Sequence, residues 1–352
     1  MRKLTGALIG CGAIAREHLA AIAELQTVEV AAVCDISAAR AEATAERFGV
    51  AKWYTSHENL ISEVRPDLVH ITTPPESHVA LVTDCLLADL NVFCEKPLVV
   101  SYSEYEPLKK LALERRRMLM ENQQFRFHSS VLRLQSLLKS GQIGDLLELQ
   151  ICISLNVTAV GSPYIDPNAP HFSLRLPGGV IGDFLPHIAY LARIFAGPIV
   201  DLRTIWTKRK EHTPLAADEF RGLMRGESAS AYVTFSGNAN PDAFLVRLMG
   251  TRSRVEANLF EPPRLTAKRS RPGEPALMSV VDGIAESRDV FWGSFAGLYR
   301  KLGGMSSYDG MRQFIGEIYR SLERGEPQPV SLDEIGEVAL LVDRLALPDL
   351  RL

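Results

Sequence analysis

A glycine turn near the start of the chain limits its fold more than any other sequence feature. The run Gly10–Ala15, GCGAIA, directly follows an apolar stretch that ends at Ile9 and directly precedes an amphipathic segment. In a strand–turn–helix unit, such glycines let the backbone turn sharply and approach a pyrophosphate, while the helix N-terminus supplies N–H groups for the phosphate charge. This order of segments therefore predicts a dinucleotide-binding βαβ unit.

An acidic residue stands where such a unit needs one. Asp35 lies 23 residues after Gly12 and ends a second apolar run. At this point a carboxylate accepts hydrogen bonds from ribose hydroxyls and repels a 2′-phosphate, which favours NAD over NADP. Arg40 lies five residues on and leaves NADP possible. The residues predicted to contact the cofactor here are Gly10, Gly12, Ala13, Ile14 and Asp35.

Length and charge exclude several classes of protein. At 352 residues the chain is longer than one core usually supports, which predicts two domains. A net charge of -3 gives no basic field for nucleic acid, and no segment has the roughly 20 apolar residues that span a bilayer. The five cysteines are odd in number and lie mostly in apolar runs, so we expect reduced thiols in a cytoplasmic protein and no metal site.

The hydrophobic pattern changes near residue 121. Before it, short apolar runs alternate with amphipathic stretches, which predicts βαβ units and a parallel sheet. After it, longer alternating runs such as Leu146–Leu155 and Ala243–Gly250 predict an antiparallel sheet. We therefore expect an α/β domain over 1–121 and an α+β domain over 122–352. Two irregular stretches, 158–178 and 262–304, are expected to be lids or oligomer contacts.

Polar residues follow two of the predicted parallel strands. Thr73, Pro74 and His78 come after one strand, and Glu95 and Lys96 after the next. A proline turn at a strand end can wall a nicotinamide, and Ser77 can cap the following helix. A lysine followed by proline is held rigidly at the crevice. An ordinary helix residue at His78 and a surface lysine at 96 are the alternatives.

The second half carries an acid and a histidine at helical spacing. Asp183 and His187 are four residues apart and share one face of a helix. Histidine exchanges a proton near neutral pH, and a carboxylate can orient it or bind a substrate hydroxyl. Asp183 is alternatively a helix N-cap, and Pro186 fits only the first helical turn.

Taken together, these motifs resemble the Gfo/Idh/MocA oxidoreductase family. The resemblance rests on the glycine run, Asp35, Thr73-Pro74, Glu95-Lys96-Pro97, and Gly178-Gly179 followed by Asp183 and His187. It extends to the segment 122–127 and to Ile143-Gly144. It implies a Rossmann domain followed by a domain with a large, open, mostly antiparallel sheet, through which members form homodimers or homotetramers.

The family resemblance also implies a reaction. Its usual chemistry moves a hydride between a nicotinamide cofactor and a secondary alcohol carbon of a sugar, inositol or related polyol. By resemblance, Lys96 contacts the reacting hydroxyl and the nicotinamide, Asp183 holds substrate and His187 is the general acid/base. The same roles follow from the chemistry, because hydride departure requires the hydroxyl proton to leave as well.

Three positions depart from the family pattern. Val180 replaces a third glycine, Tyr190 stands where an aspartate is frequent, and Pro186 directly precedes His187. These departures bear on the substrate more than on the hydride chemistry. The candidate substrate residues are Arg126, Tyr164, His171, Arg175 and Tyr190; surface or packing roles are their alternatives.

Two other functions remain open from the sequence. In a glycosidase of the same family, a retained NAD oxidises the sugar transiently and the glycosidic bond leaves by elimination. A cofactor-binding sensor would keep the fold without chemistry, although the presence of Lys96, Asp183 and His187 argues against it.

Overall fold

The computed structural model describes residues 3–261, 265–269 and 308–346. Contacts divide them into two compact units. The first contains the chain up to Gln124 together with Met311–Asp343, and the second contains the remaining described residues from Phe125 onward. The segment 311–343 thus packs with the first unit, although the sequence analysis grouped it with the second. The loop expected over 262–304 lies almost entirely outside the described residues.

A parallel sheet forms the centre of the first unit, with strand order β3-β2-β1-β4-β5-β6. Its strands are β1 (Leu4–Ile9), β2 (Val28–Cys34), β3 (Trp53–Tyr54), β4 (Leu68–Ile71), β5 (Asn91–Cys94) and β6 (Leu119–Glu121). β4 is buried along its whole length, as expected for a strand covered on both faces. The strand order reverses between β1 and β4, which is where ligands bind in open α/β sheets.

Helices connect the strands and complete both units. Within the described residues they are α1 (Ala15–Ala23), α2 (Ala38–Phe48), α3 (His57–Val64), α4 (His78–Leu87), α5 (Tyr102–Arg115), α6 (Ser129–Lys139), α7 (Gly179–Ala196), α8 (Asp309–Arg324) and α9 (Leu332–Ala346). Short 3-10 turns lie at Pro75–Ser77, Gln124–Phe127 and Phe172–Arg175. No helix in the described ranges is long and apolar enough to cross a membrane.

The second unit is built on a larger sheet, with strand order β13-β12-β11-β7-β10-β9-β8. Its strands are β7 (Leu146–Ser154), β8 (Ile199–Thr207), β9 (Glu219–Gly226), β10 (Ser230–Ser236), β11 (Ala243–Gly250), β12 (Ser253–Asn258) and β13 (Leu265–Arg269). Neighbouring strands are antiparallel except β7 and β10, which are parallel. Buried residues alternate along β10, so one face packs against the core and the other does not.

The predicted fold class is confirmed, and three local expectations were wrong. α7 begins after Gly178, so Asp183 lies in its second turn and is not an N-cap. Pro186 lies inside the helix, where it removes one backbone donor. The Ser77 side chain does not cap α4; it donates to Thr73 Oγ1 or the Pro74 carbonyl oxygen, at 2.7 and 2.9 Å.

Candidate active site

The glycine turn is shaped to receive a phosphate. Gly10 has φ +101°, and a Cβ there would lie 2.8 Å from the backbone of Thr72 and Thr73. At Gly12 an added Cβ would meet no protein atom within 4 Å. The α1 N-terminus has no side-chain cap, which leaves its first N–H groups for a ligand. These features fit the pyrophosphate of a dinucleotide.

Asp35 is held in place by two backbone donors at the end of β2. The N–H groups of Cys11 and Ser37 donate to its two carboxylate oxygens, each at 2.8 Å. The neighbouring Ile36 side chain is 95% exposed. An oriented carboxylate beside an exposed apolar side chain fits the ribose and adenine of a dinucleotide.

Lys96 lies two residues after the end of β5 and interacts electrostatically with two buried glutamates, Glu95 and Glu121. Leu98 N–H donates to Glu121 Oε1 at 3.0 Å, and Lys96 N–H donates to Glu95 Oε2 at 3.3 Å. Burial raises the pKa of Glu121, whereas hydrogen bonds from His18 and Asn122 outweigh burial and lower the pKa of Glu95. Glu95 is therefore an anion beside the Lys96 cation.

A chain of buried polar groups supports Glu95. His18 Nε2 lies 2.8 Å from Glu95 Oε1, and His18 Nδ1 lies 3.0 Å from His70 Nδ1. His70 Nε2 lies 3.0 Å from the Tyr319 hydroxyl. This series of hydrogen bonds was not predicted from the sequence. His70 within the apolar strand β4 was a usable signal, because a buried histidine needs partners, but its partner 249 residues away was not predictable.

The turn after β4 contains the other predicted cofactor residues. Thr72 Oγ1 donates to the Gly10 carbonyl oxygen at 2.5 Å, which links this turn to the glycine turn. Thr73 is half-buried and Pro74 is exposed, whereas His78 is fully buried. The His78 ring nitrogens lie 2.8 and 2.9 Å from the carbonyl oxygens of Pro97 and Thr73.

In the second unit, α7 presents Asp183 and His187 from consecutive turns. Both side chains are buried, with 7% and 4% exposure. Gly178 directly precedes the helix, and its φ of +81° and close approach to the Trp206 ring exclude a side chain there. Asp183 and His187 thus lie on one helix, at the spacing expected from the sequence.

His187 is surrounded by aromatic rings and one hydroxyl. Its Nδ1 lies 2.8 Å from the Tyr190 hydroxyl, which also accepts the Phe125 N–H at 3.1 Å. The Phe125 ring centroid lies 4.8 Å from that of His187. Tyr190 is fully buried, and its hydroxyl contacts both the proposed acid/base and the Phe125 backbone.

The remaining candidates are distributed over the crossing segment and the long loop. Tyr164 and His171 have ring centroids 4.7 Å apart. Burial and then the Asp183 carboxylate raise the pKa of Tyr164 to about 12, which places this tyrosine near Asp183. Arg126 is half-buried at the end of one 3-10 turn, and Arg175 is exposed at the end of another. Among the described residues no cluster of metal-ligating side chains is found.

Family models match both halves of the chain. Residues 4–123 match an oxidoreductase family with an NAD-binding Rossmann fold, and residues 131–256 match a GFO/IDH/MocA C-terminal domain. The chain belongs to the Gfo/Idh/MocA oxidoreductase family. This confirms the resemblance expected from the sequence. It also confirms the expected cofactor, because the family's first domain binds a nicotinamide dinucleotide.

Curated relatives of this Gfo/Idh/MocA protein are named as sugar and inositol enzymes. A dTDP-3,4-didehydro-2,6-dideoxy-alpha-D-glucose 3-reductase of Saccharopolyspora spinosa is 32% identical over 73% of this chain and 75% of its own length. An inositol 2-dehydrogenase of Salmonella typhimurium is 33% identical over 41% of this chain. That match covers 44% of the relative, so the chain spans less than half the length of this relative.

Solved structures share the family fold across nearly the whole chain. A levoglucosan dehydrogenase in complex with NADH and L-sorbose has a TM-score of 0.79 and 17% identity, covering 98% of this chain and 96% of that one. An Agrobacterium radiobacter oxidoreductase in complex with NAD+, L-tartaric acid and magnesium has a TM-score of 0.77 and 20% identity, covering 97% and 94%. At these identities the likeness concerns the fold.

Proposed function

We propose that the protein is an NAD-dependent dehydrogenase that acts on a secondary alcohol carbon of a sugar, inositol or related polyol. The observation that carries this proposal is the position of Lys96, two residues after the end of β5 in the dinucleotide-binding sheet, where it interacts electrostatically with the buried carboxylates of Glu95 and Glu121. The curated names of its relatives support a polyol substrate.

The proposed roles follow from the charge changes of alcohol oxidation. The bound nicotinamide supplies a hydride acceptor. The Lys96 cation stabilises negative charge on the reacting oxygen, and His187 takes the hydroxyl proton. Asp183 accepts hydrogen bonds from substrate hydroxyls. Arg126, Tyr164 and His171 are proposed substrate contacts, as is Arg175.

The cofactor residues are proposed in two groups. The backbone of Gly10, Gly12, Ala13 and Ile14 holds the pyrophosphate, and Asp35 accepts the ribose hydroxyls, which favours NAD over NADP. Thr73 and Pro74 wall the nicotinamide. Glu95 and His78 belong to the same proposed cofactor region.

Two buried amides add hydrogen-bond capacity near Lys96. Within the described residues, Asn122 Oδ1 and Gln123 Oε1 are buried without a hydrogen-bond partner. Their amide nitrogens donate to Glu95 and Glu121, the two carboxylates that interact with Lys96. These amides therefore help to fix the carboxylates on which the charge of Lys96 acts.

The test is nicotinamide absorbance with purified protein, NAD or NADP, and pooled sugars, inositols and sugar acids. We expect the wild type to reduce NAD, and the rate of NAD reduction by Lys96→Ala to be at least about a hundredfold lower. The control Lys110→Ala, at an exposed lysine, should reduce NAD at the wild-type rate. Equal turnover by Lys96→Ala contradicts the assigned role. Tight NAD binding with no reduction from any pool contradicts the dehydrogenase, and cleavage of aryl glycosides then indicates the glycosidase.

A further inference from the structure

A single buried histidine contacts both turns that hold the proposed active residues of the first unit. His78 is the first residue of α4 and is fully buried. Its Nδ1 lies 2.8 Å from the carbonyl oxygen of Pro97, in the turn that carries Lys96. Its Nε2 lies 2.9 Å from the carbonyl oxygen of Thr73, in the proposed nicotinamide wall. Both distances are those of ordinary hydrogen bonds.

The chemistry of the two partners limits the states of the ring. A backbone carbonyl oxygen accepts hydrogen bonds and cannot donate them, and a neutral imidazole has one N–H and one lone pair. Neutral His78 therefore donates to one of the two carbonyls, and its other nitrogen faces an acceptor. The imidazolium has two N–H groups and donates to both.

The charges near the ring favour the cation, and burial opposes it. Burial lowers the pKa of His78, while the two carbonyl contacts and the carboxylates of Glu95 and Glu76 raise it. Glu95 is the residue that follows β5, and Glu76 lies in the turn before α4. The net effect lowers the pKa of His78, so its protonation requires a lower pH than that of an ordinary histidine.

We propose that His78 is a positioning residue that ties the Thr73–Pro74 turn to the Lys96–Pro97 turn, through one carbonyl when neutral and through both when protonated. This inference rests on the proposed function, because it matters for catalysis only if Lys96 acts on the reacting hydroxyl. It gives His78 a role through the backbone of the two turns, since its buried ring is occupied by their carbonyl oxygens.

The first test compares His78→Leu and His78→Gln with the wild type. Loss of both contacts in His78→Leu is expected to lower kcat about tenfold or more, because small misplacements of reacting groups are costly, with less than about threefold change in KM for NAD. Gln keeps an N–H donor and is expected to recover part of kcat. The matched control is His57→Leu, since His57 is also the first residue of a helix but is partly exposed. A kcat of His78→Leu within about twofold of wild type overturns the positioning role.

The second test is made on the folded wild-type protein, and His78→Gln serves only to assign its signals. Proton–nitrogen spectra of protein with labelled histidines report the eight imidazoles, and the His78 signals are those absent from His78→Gln. We expect a single slowly exchanging ring N–H at neutral pH and two on acidification. One N–H at every pH where the protein is folded overturns the doubly bonded form.

Lys96→Ala, measured in parallel, separates this inference from the proposed function. Lost turnover in Lys96→Ala with normal turnover in His78→Leu overturns the positioning role alone. Retained turnover in Lys96→Ala overturns the proposed function, and the wild-type spectra still decide whether His78 bonds both carbonyls.

Discussion

At the scale of single residues, Tyr190 shows how one substitution changes the surroundings of a proposed acid/base. The family resemblance leads us to expect aspartate at this position, but the chain has a tyrosine whose hydroxyl lies 2.8 Å from His187 Nδ1. A neutral hydroxyl stabilises an imidazolium less than a carboxylate does. We expect Tyr190 to orient His187 without adding negative charge.

Replacing Tyr190 with phenylalanine tests this role. Tyr190→Phe removes the partner of His187 Nδ1 and of the Phe125 N–H, so we expect kcat to fall about tenfold with little change in KM for NAD. Tyr232→Phe, at a tyrosine that is 41% exposed, is the control. Equal kcat values for Tyr190→Phe and wild type across the pH range contradict the assignment.

Asp35 gives a second prediction at this scale. Its carboxylate is fixed by the N–H groups of Cys11 and Ser37. In Asp35→Ser the charge that repels a 2′-phosphate is lost, so the ratio of kcat/KM for NAD to that for NADP should fall about tenfold or more. Asp84→Ser, a half-exposed carboxylate on α4, is the control. An unchanged ratio means that Asp35 does not contact the ribose.

At the scale of elements, hydrogen bonds among buried side chains connect α8, β4, α1 and the end of β5. Because the Glu95 carboxylate only accepts, His18 donates to it through Nε2. His18 Nδ1 faces His70 Nδ1, and His70 Nε2 faces the Tyr319 hydroxyl. Which atom donates in these two contacts depends on the protonation of the two rings.

Because His70 is buried in this series of hydrogen bonds, we predict that the stability of the protein depends on pH. Burial, and then the neighbouring His18, lower the pKa of His70 well below its ordinary value, so folding disfavours its protonated form. The stabilisation is complete above the unfolded pKa of about 6.5 and is lost as pH falls below it, by at most about 1.4 kcal/mol per pH unit. Urea unfolding of wild type and His70→Gln at about pH 7.5 and about pH 5.5 measures this loss. A variant with the same pH dependence as the wild type contradicts it.

At the scale of the whole molecule, the outer face of the second sheet carries exposed apolar side chains. Ile205 is 63% exposed and Leu223 is 59% exposed. Tyr232 lies opposite Leu223 across β9 and β10. Such a face is typical of an interface between subunits, and it supports the proposed homodimer or homotetramer.

Light scattering after gel filtration tests the oligomer. We expect two or four times the chain mass of 38.9 kDa for the wild type and a smaller species for Leu223→Lys. Leu113→Lys is the control, because Leu113 on α5 is equally exposed, at 59%, but lies in the first unit. A wild-type monomer contradicts the proposed assembly.

Local sequence determined the elements whose signal lies within one segment. Periodicity and turn residues predict a helix over Ala38–Phe48 and a strand over Asn91–Cys94, and the structure has both with these bounds. These signals need no other part of the chain. β3, β9 and β13 were missed. β3 is only two residues long, alternation in β9 is interrupted by Gly222, and β13 lies in the stretch 262–304, which was expected to be irregular. The family and its reaction class were readable for the same local reason, since each motif is a short run of residues.

Tertiary structure decided which distant groups share a buried environment. The pairing of His70 with Tyr319, of Tyr190 with the Phe125 backbone, and of His78 with two separate turns joins residues that no local pattern connects. The parallel pairing of β7 with β10 has the same origin. Hydrogen bonds between groups far apart in sequence form only once the sheets and helices have packed, because packing alone removes the competing water.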